Sequence, residues 1–124
     1  MRHKSYFIYG DPQVHRGIRL RSKLELRAIM MLEMKFGLTL GKDLLYEPQE
    51  YVIDYKNPET GMPHQYHPDL YDAINNVIYE VKYIGKINDV IVKSKALATR
   101  QKFPGIKYVL LTNADLPEEI QECT

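Results

Sequence analysis

The sequence lacks several features that define classes of protein. Its 124 residues include one cysteine, Cys123, and no tryptophan. A single thiol excludes an internal disulfide and a zinc site built on cysteines, and it favours a reducing, cytoplasmic setting. No apolar run approaches the ~18 residues of a membrane span. The first residues also lack the apolar core of a signal peptide, so we expect neither membrane insertion nor export.

A strong net charge is also missing, because 17 basic residues oppose 16 acidic ones. The charges are nevertheless segregated along the chain. Residues 1–28 hold seven basic and two acidic side chains, and residues 82–107 hold seven basic side chains and one acidic side chain. A fold that joins these segments would form a cationic face for a nucleic acid. The alternative is that they are solvated helix faces.

Composition and pattern predict one α/β domain over residues 1–124, with 44% hydrophobic and 27% charged residues. Helical spacing covers 22–36, and Gly37 follows as a stop signal. Strands are expected at 50–55, along an arm at 64–71, and at 77–84, which should be the most buried.

A second helix should run from Asn88 to about residue 103, with Val90, Ile91, Leu97 and Ala98 on one face. A strand at 106–112 and a short helix at 117–123 complete the chain. The strand–helix–strand unit should form a right-handed parallel crossover. We therefore expect a mixed central sheet flanked by helices.

The stretch that indicates chemistry is His67-Pro-Asp69 followed by Glu80-Val-Lys82. In a strand, Glu80 and Lys82 project from one face about 6.6–6.8 Å apart, and Asp69 on the preceding arm can lie beside Glu80. Two carboxylates are suitable ligands for Mg²⁺ or Mn²⁺. The ion and the neighbouring ammonium could together activate a water to attack a phosphodiester. The alternative is that Lys82 is a surface residue paired with Glu80.

Glu25 has two interpretations. Ser22-x-x-Glu25 is a capping-box pattern, in which the Glu25 carboxylate would accept from the backbone N–H of Ser22. In the functional interpretation, Glu25 lies in the first turn of the helix and faces the metal site. The two roles can coexist only in part, because one carboxylate has few oxygens.

These motifs resemble the PD-(D/E)XK nuclease superfamily, and they are most similar to the phage endonuclease I-type Holliday-junction resolvases. The resemblance spans roughly residues 19–112, although the segment after Lys82 is longer than in that branch and a long basic C-terminal extension is absent. The matching positions are Arg21-Ser22-x-Leu24-Glu25, His67-Pro68-Asp69 and Glu80-Val81-Lys82, followed by a basic helix and an apolar strand.

The resemblance implies a restriction-endonuclease-like αβββαβ core and a Mg²⁺-dependent DNA endonuclease, with Mn²⁺ as a substitute. Glu25, Asp69, Glu80 and Lys82 would be catalytic. Asp69, Glu80, Glu25 and the Val81 carbonyl would bind the metal, and Lys82 would hold the attacking water. The resemblance also implies a homodimer that cuts branched DNA such as a Holliday junction. It is compatible with a phage-encoded enzyme acting in the host cytoplasm.

Basic residues flanking the site are the expected DNA contacts. Alternatives to a junction resolvase are a phage head-completion, transposon-end or duplex-nicking nuclease of the same superfamily, an inactive DNA-binding module, and a structural protein in which the motif is accidental. The predicted phosphate contacts are Arg16, Arg19, Arg21, Lys23, Lys93, Lys95 and Lys102.

Overall fold

A computed structural model describes residues 11–116, in which two long helices pack on opposite faces of a four-stranded sheet. The predicted helix at 117–123 lies outside the described residues. Short 3₁₀ turns occur at Gln49–Tyr51 and Ile84–Lys86. The remaining elements are β1 (Gln13–His15), β2 (Ile18–Leu20), α1 (Lys23–Phe36), β3 (Leu44–Tyr46), β4 (Ile53–Lys56), β5 (Pro63–Tyr66), β6 (Leu70–Asp72), β7 (Val77–Lys82), α2 (Asp89–Lys102) and β8 (Lys107–Thr112).

The main sheet is mixed, which confirms the predicted α/β class. Its strand order is β3-β6-β7-β8. Strands β3, β6 and β7 are antiparallel neighbours, whereas β8 runs parallel to β7. The connection from β7 to β8 passes through α2, as a parallel pair requires. The two other pairs, β1–β2 and β4–β5, form separate antiparallel hairpins.

Helix α1 begins and ends where the sequence predicts. The Ser22 hydroxyl accepts from the backbone N–H of Glu25 at 3.1 Å, and Gly37 ends the helix with φ of 68°. Such a left-handed residue favours glycine because it has no Cβ. The helix buries Leu24, Ala28, Ile29 and Leu32 against the sheet.

Strand β7 alternates between the two faces. Val77 and Tyr79 belong to the core beneath α1, with Val81 packed at its edge, whereas Ile78 belongs to the opposite core. This alternation follows from the two-residue period of a strand. Glu80 therefore faces the side where α2 packs.

The middle of the chain differs from the predicted strands. The main sheet begins with β3, which the sequence analysis missed, and the expected strand at 50–55 is a 3₁₀ turn followed by β4 in a separate hairpin. Glu47 turns the chain between β3 and β4 with φ of 46°. The arm at 64–71 breaks after Tyr66 into β5 and β6, because Pro68 cannot donate a ladder hydrogen bond.

The buried face of α2 differs in part from the prediction, although Ala98 packs against the core as expected. Val90 and Leu97 are 51% and 50% exposed, whereas Lys95 and Thr99 are the buried residues of this helix. Lys95 and Thr99 are four residues apart and share a face. The helix is thus rotated so that a lysine faces the sheet. None of the helices within 11–116 is long and apolar enough to cross a membrane.

Asp72 should stabilise the β6–β7 turn. Its fully buried carboxylate accepts from the backbone N–H groups of Ile74 and Asn75, both at 2.9 Å, and from the Asn75 amide at 2.7 Å. Asp72→Ala leaves these donors unpaired, and we expect a loss of about 2–4 kcal/mol in the free energy of unfolding, measured by urea denaturation. Asp54→Ala, at an exposed position of β4, is the control. Equal effects of the two substitutions would contradict this role.

Candidate active site

Asp69 lies beside the last residues of β7. The β6–β7 register pairs Leu70 with Tyr79, and Asp69 and Glu80 are the next residue of each chain beyond that pair. The backbone N–H of Val81 donates to Asp69 Oδ2 at 2.7 Å. The structure therefore brings Asp69 to the end of the strand that carries Glu80, as the hairpin argument predicts.

Glu80 is a buried carboxylate with two protein donors. Its residue is 4% exposed. Lys95 Nζ lies 2.7 Å from Glu80 Oε2, and the Tyr108 hydroxyl donates to Oε1. The donors come from α2 and β8, the two elements that follow Glu80 in the chain. A buried charge requires such pairing, so Glu80 fixes the positions of both side chains.

Glu25 is a second buried carboxylate, with 6% exposure. Its Oε1 accepts from the backbone N–H of Arg21 at 2.8 Å and from the Tyr46 hydroxyl at 2.7 Å. Ser22 caps the helix, but the Glu25 side chain does not return to the N–H of Ser22 as a full capping box would require. Only half of the capping pattern is present, and the carboxylate is directed at β3.

Arg21 joins three carboxylates. Its Nη2 lies 2.5 Å from Glu47 Oε2, 3.4 Å from Asp69 Oδ1 and 3.7 Å from Glu25 Oε2. Glu47 was not among the predicted site residues. Its inclusion depends on the left-handed turn after β3, for which the sequence gives no glycine or asparagine signal at that position. Arg21 therefore neutralises part of the acidic charge between α1 and the sheet.

The environment raises the pKa of Asp69 to about 7. Burial is the main cause, and the negative charges of Glu25 and Glu80 add to it. The Val81 N–H and the Arg21 guanidinium act in the opposite direction. Near neutral pH, the carboxyl of Asp69 is therefore divided between its protonated and ionised forms, and a nearby cation would favour the ionised form.

The lysines of the site differ in their surroundings. Lys82 is half-buried, and its side chain makes no hydrogen bond or ion pair with any residue between 11 and 116. The alternative in which Lys82 is a surface residue requires an ion pair between Lys82 and Glu80. In the structure Glu80 pairs with Lys95 instead. Lys95 was expected at the DNA-facing surface. That expectation is corrected, because Lys95 is 9% exposed and its ammonium faces Glu80.

The other predicted DNA contacts fall into two groups. Arg16 pairs with Glu33 at 2.8 Å, and Lys102 donates to the Val52 carbonyl at 2.7 Å, so both already have protein partners, as does Arg21. The second group is exposed, and its side chains make no hydrogen bond or ion pair within the described part of the chain; it comprises Arg19, Lys23 and Lys93.

The donor set can be compared with what Mg²⁺ requires. Mg²⁺ prefers oxygen ligands, keeps several waters and often uses only one or two carboxylates. Asp69 and Glu80 offer such oxygens, each with acceptor capacity beyond its present hydrogen bond. Across residues 11–116, no three His, Cys, Asp or Glu side chains are grouped to enclose a metal ion. The pair therefore fits a hydrated ion, and ligation by Glu25 and the Val81 carbonyl stays a prediction.

The raised pKa of Asp69 predicts a pH dependence of stability. Unfolding lowers this pKa from about 7 towards 3.8. Between these pH values the unfolded chain releases a proton that the folded protein keeps, so the free energy of unfolding falls as pH rises and levels off above 7. We expect Asp69→Asn to remove most of this fall and to raise the free energy of unfolding at pH 8 by roughly 2–4 kcal/mol. Urea denaturation in EDTA measures both effects. Equal pH profiles for both proteins would contradict the assignment.

The Glu80–Lys95 pair should show strong coupling. Lys95→Met leaves the buried Glu80 carboxylate without its cation and should cost about 3–5 kcal/mol of unfolding free energy. Adding Glu80→Gln removes the isolated charge, so the double variant should be more stable than Lys95→Met alone. A double-mutant cycle in urea measures the coupling. Additive effects of the two substitutions would show that the pair does not interact.

Comparison with known proteins adds no relative. The sequence matches no protein-family model, no curated protein and no solved structure.

Proposed function

We propose that this chain is a Mg²⁺-dependent endonuclease that hydrolyses phosphodiester bonds in DNA. The observation that carries the proposal is the hydrogen bond from the backbone N–H of Val81, next to the buried Glu80, to Asp69 Oδ2 at 2.7 Å, with the Lys95 ammonium 2.7 Å from Glu80. Carboxylates kept together out of water, one of them with a pKa of about 7, are typical of functional sites. Such carboxylates destabilise the folded protein, and an ion bound between them would offset that destabilisation.

The side chains around the pair have separate tasks in this proposal. A divalent ion at Asp69 and Glu80 would acidify a water and stabilise the charge on the attacked phosphodiester. Lys95 pairs with Glu80 and fixes its orientation. Lys82 has no protein partner among the described residues, so its ammonium can orient the attacking water or contact the phosphate.

The order of elements supports a restriction-endonuclease-like core as part of the proposal. Helix α1 is followed by three antiparallel strands of the main sheet, then by α2 and the parallel strand β8. This is the αβββαβ order that the resemblance implies. The insertion of the β4–β5 hairpin between β3 and β6 is an addition to that order.

Branched DNA is the substrate class we favour, bound by a homodimer that presents two sites. The near-zero net charge limits nonspecific affinity for duplex DNA, so binding would depend on a local basic patch and on shape. Arg19, Lys23 and Lys93 are exposed and available for phosphate contact.

Lys82→Ala tests the catalytic proposal with little expected effect on the fold, because the Lys82 side chain has no hydrogen bond or ion pair to lose among the described residues. We expect cleavage with Mg²⁺ to fall by about 100-fold or more, with DNA affinity within roughly threefold of wild type. Lys86→Ala, four residues along at an exposed position, is the matched control and should cleave normally. Normal cleavage by the Lys82 variant would remove this lysine from the mechanism.

The substrate is tested by cleaving a four-way junction and its separate linear arms at the same salt concentration. A resolvase should cut the junction faster, with paired symmetrical cuts, and sedimentation should give a dimer. Equal rates would favour a duplex nuclease of the same superfamily. Binding without cleavage at any Mg²⁺ or Mn²⁺ concentration would favour the inactive DNA-binding module.

A further inference from the structure

Tyr66 carries the one buried side-chain oxygen or nitrogen between residues 11 and 116 that has no hydrogen-bond partner. The residue is 4% exposed and ends strand β5. An unpaired buried hydroxyl destabilises the fold, so a hydroxyl in this state calls for an explanation. A phenylalanine would fill the same space without that cost.

The surroundings of Tyr66 belong to the candidate site. Lys95 Nζ lies 5.0 Å from the centre of the Tyr66 ring, and the Tyr108 ring meets it edge to face at 5.8 Å. Both neighbours bond Glu80. Two residues, His67 and Pro68, separate Tyr66 from Asp69 along the chain. The charges of Glu80 and Asp69 are also close enough to raise the pKa of Tyr66, after burial as the main cause, so the hydroxyl keeps its proton.

We propose that the Tyr66 hydroxyl donates a hydrogen bond to an oxygen ligand bound at the Asp69–Glu80 pair. The hydroxyl is shielded from bulk water, and its ring packs against Lys95 and Tyr108, which both bond Glu80, so a ligand bound at this carboxylate pair is the acceptor we assign to it. A water of a hydrated divalent ion and a phosphate oxygen of DNA share the required chemistry. The inference rests on the proposed nuclease function and adds a ligand-contacting residue to it.

Tyr66→Phe distinguishes this role from a structural one, because the two roles predict different changes in melting temperature and in cleavage rate. In EDTA the variant should melt at the same temperature as wild type or up to about 6 °C higher, because an unpaired hydroxyl has been removed. Cleavage of junction DNA should nevertheless fall by about 10- to 100-fold, because the donor to the ligand is lost.

Tyr71→Phe is the matched control. Tyr71 lies in the same hydrophobic cluster, but its hydroxyl donates to Asn76 Oδ1 at 2.6 Å. This variant should melt a few degrees lower, by roughly 2–6 °C, and should cleave as wild type does. A loss of cleavage confined to the Tyr66 variant therefore supports the proposal.

The source of the oxygen follows from Mn²⁺ binding measured by calorimetry without DNA. Weaker Mn²⁺ binding by Tyr66→Phe supports a water of the ion, and unchanged Mn²⁺ binding with lower kcat supports a phosphate oxygen. Wild-type cleavage by Tyr66→Phe would overturn the inference and leave the nuclease function intact. A wild-type protein that neither binds Mn²⁺ nor cleaves DNA would overturn the function itself, and the inference with it.

Discussion

Burying the carboxylate of Glu80 in β7 is the constraint on which the arrangement of the site depends. A buried anion needs donors, and the chain supplies them from the two elements that follow β7. Lys95 on α2 and Tyr108 on β8 both reach Glu80. Helix α2 consequently turns its lysine inward and leaves Val90 and Leu97 exposed. The Glu80–Lys95 pair thus acts together with the apolar contacts of Ala98 and Phe103 in packing the crossover helix on the sheet.

A second balance of charge holds α1 to the other edge of the site. Glu25, Glu47 and Asp69 share the guanidinium of Arg21, which is 67% exposed at its side chain. A partly exposed cation among three carboxylates is a weaker partner than a buried one, because water screens it. In our proposal a divalent ion at Asp69 and Glu80 would compete with Arg21 for Asp69. Release of this arginine would make it available to the phosphate contacts predicted for it.

Local patterns were enough to predict the two long helices, the mixed sheet and the neighbourhood of Asp69 and Glu80. Ser22 and Gly37 mark α1 through hydrogen bonding and backbone conformation, which are properties of short segments. Strand β3 was missed because three residues carry little periodic signal, and its place in the sheet depends on pairing with β6. Lys95 was misassigned because its inward orientation is determined by Glu80, 15 residues earlier, and not by the apolar pattern of its own helix.

The central claim is that Asp69 and Glu80 together bind a catalytic divalent ion. Anomalous diffraction from crystals grown with saturating Mn²⁺ tests it most directly, since the anomalous signal of Mn²⁺ gives the position of the ion. We expect a Mn²⁺ peak within about 2.5 Å of a carboxylate oxygen of both Asp69 and Glu80. A fully ordered site without a peak there, with Lys95 and Tyr108 still bonded to Glu80, would contradict it.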